Sequence, residues 1–87
     1  MKQYSKEELQ GKYVVAFDTM CGGWECVHGG VPGEPYLYES EAEAQVDCEE
    51  ENGDFVIPAE EYVHGRTLTY GKDGFVISGT PLCKDYE

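Results

Sequence analysis

Thr67-Leu68-Thr69-Tyr70, Gly71-Lys72-Asp73-Gly74 and Phe75-Val76-Ile77-Ser78 are two β-rich runs joined by a Gly/Asp-rich turn. β-Branched and aromatic side chains suit a pleated surface, and glycine takes the turn conformations that other residues resist. This is the clearest hairpin in the chain and predicts antiparallel pairing of 67–70 with 75–78. Working back from it, Phe55-Val56-Ile57 reads as a core strand that stops before Pro58. Pro58 to Val63 predicts one helical turn, with proline at the first helical position and Glu60 and Glu61 favoured by the helix dipole.

Tyr13-Val14-Val15-Ala16-Phe17 predicts a buried central strand, Met20 to Gly23 a turn, and Trp24 to His28 an antiparallel return. Gly29 to Pro35 is rich in turn residues and predicts a surface loop, and Tyr36-Leu37-Tyr38 a short strand or an extended approach to a helix. Ser5-Lys6-Glu7-Glu8 and Ser40-Glu41-Ala42-Glu43 have the spacing of capping boxes. The first opens a short turn ending at Gly11. The second opens a helix running to about Glu51, with Asn52-Gly53 as a left-handed cap. The expectation is a single α+β domain over 1–87, a small antiparallel sheet of four to five strands with one main helix (about 40–51) packed on it.

The charge is unevenly distributed. Between Lys12 and Arg66 there is no Lys or Arg, yet thirteen carboxylates fall there, and the net charge of the 87-residue chain is −12. Such a balance opposes any generic affinity for nucleic acid or anionic lipid, and an unneutralised acidic middle works against its own fold. It favours a basic partner, a metal cation, or no partner. A hydrophobic share of 40% with eleven aromatics supplies one modest core. The opening MKQYSKEELQ lacks the apolar run of a secretory signal, and no stretch is long enough to span a bilayer. A cytoplasmic protein with four thiols, Cys21, Cys26, Cys48 and Cys83, is expected.

On a helical wheel Glu43, Asp47, Glu50 and Glu51 share one side of the 41–51 helix, opposite Ala42 and Val46. Carboxylates spaced by about 6 Å along such a ridge resemble the phosphate spacing of a nucleic-acid strand, and a Lys/Arg groove evolved for phosphates would bind them through the same electrostatics. A solvated acidic helix is the plainer reading of the helix alone. The 53 positions without a basic residue weigh against it, because solvated helices usually place Lys four residues from Glu. The proposed contact set is therefore Glu39, Glu43, Asp47, Glu50, Glu51, Asp54, Glu60, Glu61 and Trp24.

Other chemistry finds less support. From Asp47, the sixth and twelfth positions of a calcium loop would be Asn52 and Pro58, where glycine and glutamate are required. Cys21 and Cys26 with His28, joined by Cys48 or Cys83, have the donors for zinc but not the paired spacing of a zinc motif. His28 and His64 lie in no recognisable nucleophile context, and neither a phosphate loop nor a hydrolase motif is present. No enzyme activity, cofactor or metal is expected. Arg66, the sole arginine, is expected to pair with Glu60 or Glu61.

Tyr13-Val14-Val15-Ala16-Phe17-Asp18-Thr19-Met20-Cys21-Gly22-Gly23-Trp24, followed by Glu39-Ser40-Glu41-Ala42-Glu43-Ala44, resembles small phage and mobile-element proteins that open with a strand reading roughly AFDT-x-C-x-GW and continue into an acidic helix. In size, acidity and simple α+β layout the chain also resembles anti-CRISPR proteins, several of which occupy the DNA-binding channel of a CRISPR effector. The resemblance implies an inhibitor that blocks the basic groove of a host nucleic-acid-handling complex, with no direct contact to nucleic acid or membrane. Two alternatives stand beside it. One is an interaction module using Trp24 and the 29–38 loop, and the other a zinc-stapled miniature domain.

Overall fold

The computed structural model describes residues 3–19, 22–27, 29 and 34–85. Its elements are α1 (Lys6–Leu9), β1 (Tyr13–Asp18), β2 (Trp24–Cys26), α2 (Glu41–Asp47), a 3₁₀ turn (Glu50–Asn52), β3 (Asp54–Pro58), a second 3₁₀ turn (Ala59–Glu61), β4 (Val63–Gly71) and β5 (Gly74–Pro81). The α+β class holds, with five antiparallel strands. They form two sheets, a three-stranded one ordered β2-β1-β3 and a β4-β5 ribbon.

β1 is central because both of its faces are covered. Val14 and Ala16 point into a layer made by Leu9, Ala59, Tyr62, Leu82 and Cys83. Val15 points the other way, against Tyr38 and Ala44. Full burial of Leu9, Leu82 and Tyr62 contributes roughly 1.5–3 kcal/mol per side chain. The first layer is closed by backbone bonds, Tyr4 N–H to Leu82 O at 2.9 Å, Lys84 N–H to Tyr4 O at 2.9 Å and Leu82 N–H to Tyr62 O at 3.0 Å.

At α1 the capping box forms in both directions: the Ser5 hydroxyl accepts from Glu8 N–H, and the Glu8 carboxylate accepts from Ser5 N–H. At α2 the Ser40 hydroxyl accepts from Glu43 N–H at 3.2 Å. The helix is shorter than its sequence predicts, ending at Asp47 with Cys48 already extended (φ −86°, ψ 121°). The cause is electrostatic and local. Its end carries no cation to satisfy the dipole, and the following carboxylates oppose it. Competing bonds then take the backbone: Glu49 N–H donates to Asp54 Oδ2, while Glu49 O accepts from Asn52 and Asp54 N–H. Gly53, at φ 88°, is the left-handed cap of the 3₁₀ turn rather than of the helix. The packing residue also differs from the wheel. Ala44 is the buried one, whereas Ala42 is exposed and Val46 is 83% exposed.

Along the ribbon the register shifts between His64 and Thr67, a bulge with Gly65 at φ 72°. Opposite it, a Cβ on Gly79 would fall 2.7 Å from Val63 Cγ1 and 3.0 Å from Arg66 Cα. The bulge divides the ribbon into a base packed beside β2 and an outer part in which nothing from 68 to 80 is buried. The predicted hairpin is present, with Gly71 paired to Gly74 across Lys72-Asp73.

Candidate partner-binding site

α2 brings Glu43 and Asp47 one turn apart. With Tyr36, Tyr38 and Val46 they line a shallow groove of about 470 Å³. Tyr38 backs this groove: its backbone exchanges bonds with Tyr13 at 2.9 and 3.0 Å, and its hydroxyl donates to Asp47 Oδ2 at 2.7 Å. Burial, then the bond to Asp47, pushes the Tyr38 phenol well above its ordinary range. Tyr36 meets Tyr38 edge to face, ring centres 4.8 Å apart.

The next carboxylates belong to a second groove, lined by Gln45, Cys48, Glu49, Glu50, Glu51 and Asn52. Asn52 Nδ2 donates to Glu49, and the Asp54 carboxylate is turned inward to the Glu49 backbone. Burial, then Asp54 and Glu50, pushes the Cys48 thiol upward, so it is a poor thiolate. The single helical stripe expected of Glu43, Asp47, Glu50 and Glu51 is therefore replaced by two grooves, because the helix that would have aligned them stops at Asp47.

The remaining expected contacts fall elsewhere. Glu39 forms an ion pair with Lys12, the only one among the described residues. Asp54 pairs with Phe17 at one end of β3 and Pro58 with Tyr13 at the other, so Glu60 and Glu61 leave the strand at the end remote from Asp54. Glu60 lines a separate groove with Ser5, Lys6, Glu7, Gln10 and Asp85. Trp24 is half-buried, edge to face with Phe55 at 5.2 Å. Arg66 does not pair with Glu60 or Glu61; its guanidinium carbon sits 4.7 Å from the centre of the Trp24 ring.

Cys26 and Cys83 lie on the first face of the sheet and Cys48 on the second, which keeps Cys48 out of any set with the other two. Cys21 and His28 are outside the described residues, as are 30–33 of the predicted loop. Among the described residues no cluster of three or more His, Cys, Asp or Glu side chains is arranged for a metal. His64 Nδ1 lies 3.0 Å from the Tyr62 hydroxyl. No helix among the described residues is long and apolar enough to cross a membrane.

No family model, curated protein or solved structure matches this chain.

No helical wheel marks Tyr36 and Val46 as neighbours of Glu43 and Asp47. The ribbon's exposed face is implicit in the hairpin, through the pairing of Leu68 with Ile77 and Tyr70 with Phe75.

Proposed function

We propose that this chain is a non-catalytic inhibitor of the anti-CRISPR type, from a phage or mobile element, that presents carboxylates to the basic groove of a host nucleic-acid-handling complex. One observation carries the proposal. Asp47, the last residue of α2, is followed closely by Glu49, Glu50 and Glu51, none of them with a cationic partner among the described residues. Their mutual repulsion costs stability, and a cationic groove would relieve it. The contact surface is the 43–54 segment; Glu60 and Glu61 extend it only if the partner reaches the far end of β3.

The experiment is capture from a bacterial lysate at low salt, with wild type and the Glu43→Lys/Asp47→Lys/Glu50→Lys/Glu51→Lys variant as baits. Partners held by wild type should be lost by the reversed variant, should elute as salt rises, and should be displaced by added nucleic acid. Retention by a folded reversed variant would remove the mimicry. A second reading, an aromatic interaction module on the 29–38 side, draws on the exposure of Tyr36 beside Tyr38. It predicts capture that survives high salt.

A further inference from the structure

We propose that the outer face of the β4-β5 ribbon is a self-association surface that packs face to face with the same surface of a second copy of this chain. Directly opposed residues of an antiparallel pair share a face. Leu68 opposes Ile77 and Tyr70 opposes Phe75, so one face is wholly apolar. These side chains are 58% (Leu68), 56% (Ile77), 80% (Tyr70) and 67% (Phe75) exposed. Tyr70 and Phe75 already pack edge to face, centres 5.3 Å apart. The reverse face is mainly polar, with Thr67 and Ser78 hydroxyls 2.6 Å apart and Thr69 opposite Val76. An isolated two-stranded ribbon with a bare apolar face is marginal in water, so this one has a cover to gain.

Charge selects the cover. Residues 66–78 hold Arg66, Lys72 and Asp73, while every other Asp and Glu lies outside that span. Two copies of a chain of net charge −12 repel wherever their bodies meet. Among the described residues the outer ribbon, with Asp73 as its single carboxylate against Arg66 and Lys72, is the apolar surface on which they can approach with least repulsion. The face is also self-complementary, since a two-fold axis can lay the ring pair of one copy over the aliphatic pair of the other at the usual sheet spacing of about 10 Å. The four side chains offer roughly 400–500 Å² per copy, below the ~800 Å² of a stable partner surface, so association is weak and concentration-dependent.

The test is the solution mass by light scattering or sedimentation, from about 5 µM to about 1 mM protein and at about 0.02 and 0.5 M NaCl. Mass should climb from one chain toward two, with the midpoint at least about threefold lower at high salt, because screening removes the repulsion between bodies. Leu68→Thr/Ile77→Thr keeps β-propensity and should stay monomeric with an unchanged melt, while Thr69→Lys on the reverse face should associate like wild type. A wild-type mass of one chain throughout, leaving the face to some other apolar partner, overturns the proposal. So does growth past two chains, or equal weakening by both variants. Salt acts here in the opposite sense to binding by the acidic segment, so the two proposals fail separately.

Discussion

The Tyr38 hydroxyl donates to Asp47 Oδ2 at 2.7 Å, joining the extended segment before α2 to the helix's last residue. A carboxylate at a helix C-terminus opposes the dipole, and the phenol offsets part of that cost. The same bond sets a pH dependence. With the folded-state pKa of Tyr38 raised, its contribution is fully present below the unfolded tyrosine value of about 10 and declines as pH rises above it. Tyr62, raised chiefly by burial and then by the nearby Cys26 thiol, acts in the same direction. Melting temperature should therefore fall above about pH 10. Tyr38→Phe should cost about 1 kcal/mol at neutral pH and flatten part of the alkaline fall, measured by thermal melts across pH.

Gly23 and Gly53 share a left-handed conformation, at φ 77° and 88°. Their surroundings differ. A Cβ at Gly23 would lie 2.5 Å from the Gly65 carbonyl, whereas one at Gly53 meets nothing within 4 Å. Gly53→Ala should cost about 1 kcal/mol and Gly23→Ala at least about 2 kcal/mol more, read from urea midpoints at constant slope.

Cys48 is only half-buried, yet its thiol is pushed up by burial and by Asp54 and Glu50. Alkylation at pH 8, followed residue by residue with peptide mass mapping, should be slower at Cys48 than for glutathione. Asp54→Asn should speed it.

Stability should rise with ionic strength. Among the described residues there is a single ion pair for salt to weaken, Lys12–Glu39, and it is solvent-exposed. The repulsion salt relieves is spread over a chain of net charge −12. Adding about 0.3 M NaCl should raise the melting temperature by a few degrees.

Local chemistry was legible where neighbours decide it. The Ser5 cap, the buried Tyr13 run, the strand through Phe55-Val56-Ile57 (one residue further at its end than expected, since it includes Pro58) and the Gly71–Gly74 turn all follow from nearest residues. The length of α2 was not, because Asp54 and Tyr38 capture groups that a wheel assigns to the helix or to solvent. Charge alone would put Arg66 near Glu60 and Glu61, but the bulge at Gly65 brings it over Trp24, a contact between distant segments that no local pattern encodes. The candidate site was half legible for the same reason. Its carboxylates could be counted along the chain, but their division between two grooves depends on where the helix ends.

Tyr4 and Cys83 form a parallel bridge, so the first and last described segments run side by side on one flank of the sheet. A linker of a few residues could join 85 back to 3, and the ring could be cut between Lys72 and Asp73, where both side chains are exposed. Such a circular permutant would keep every core contact and free the hairpin tip to carry a label or a tether.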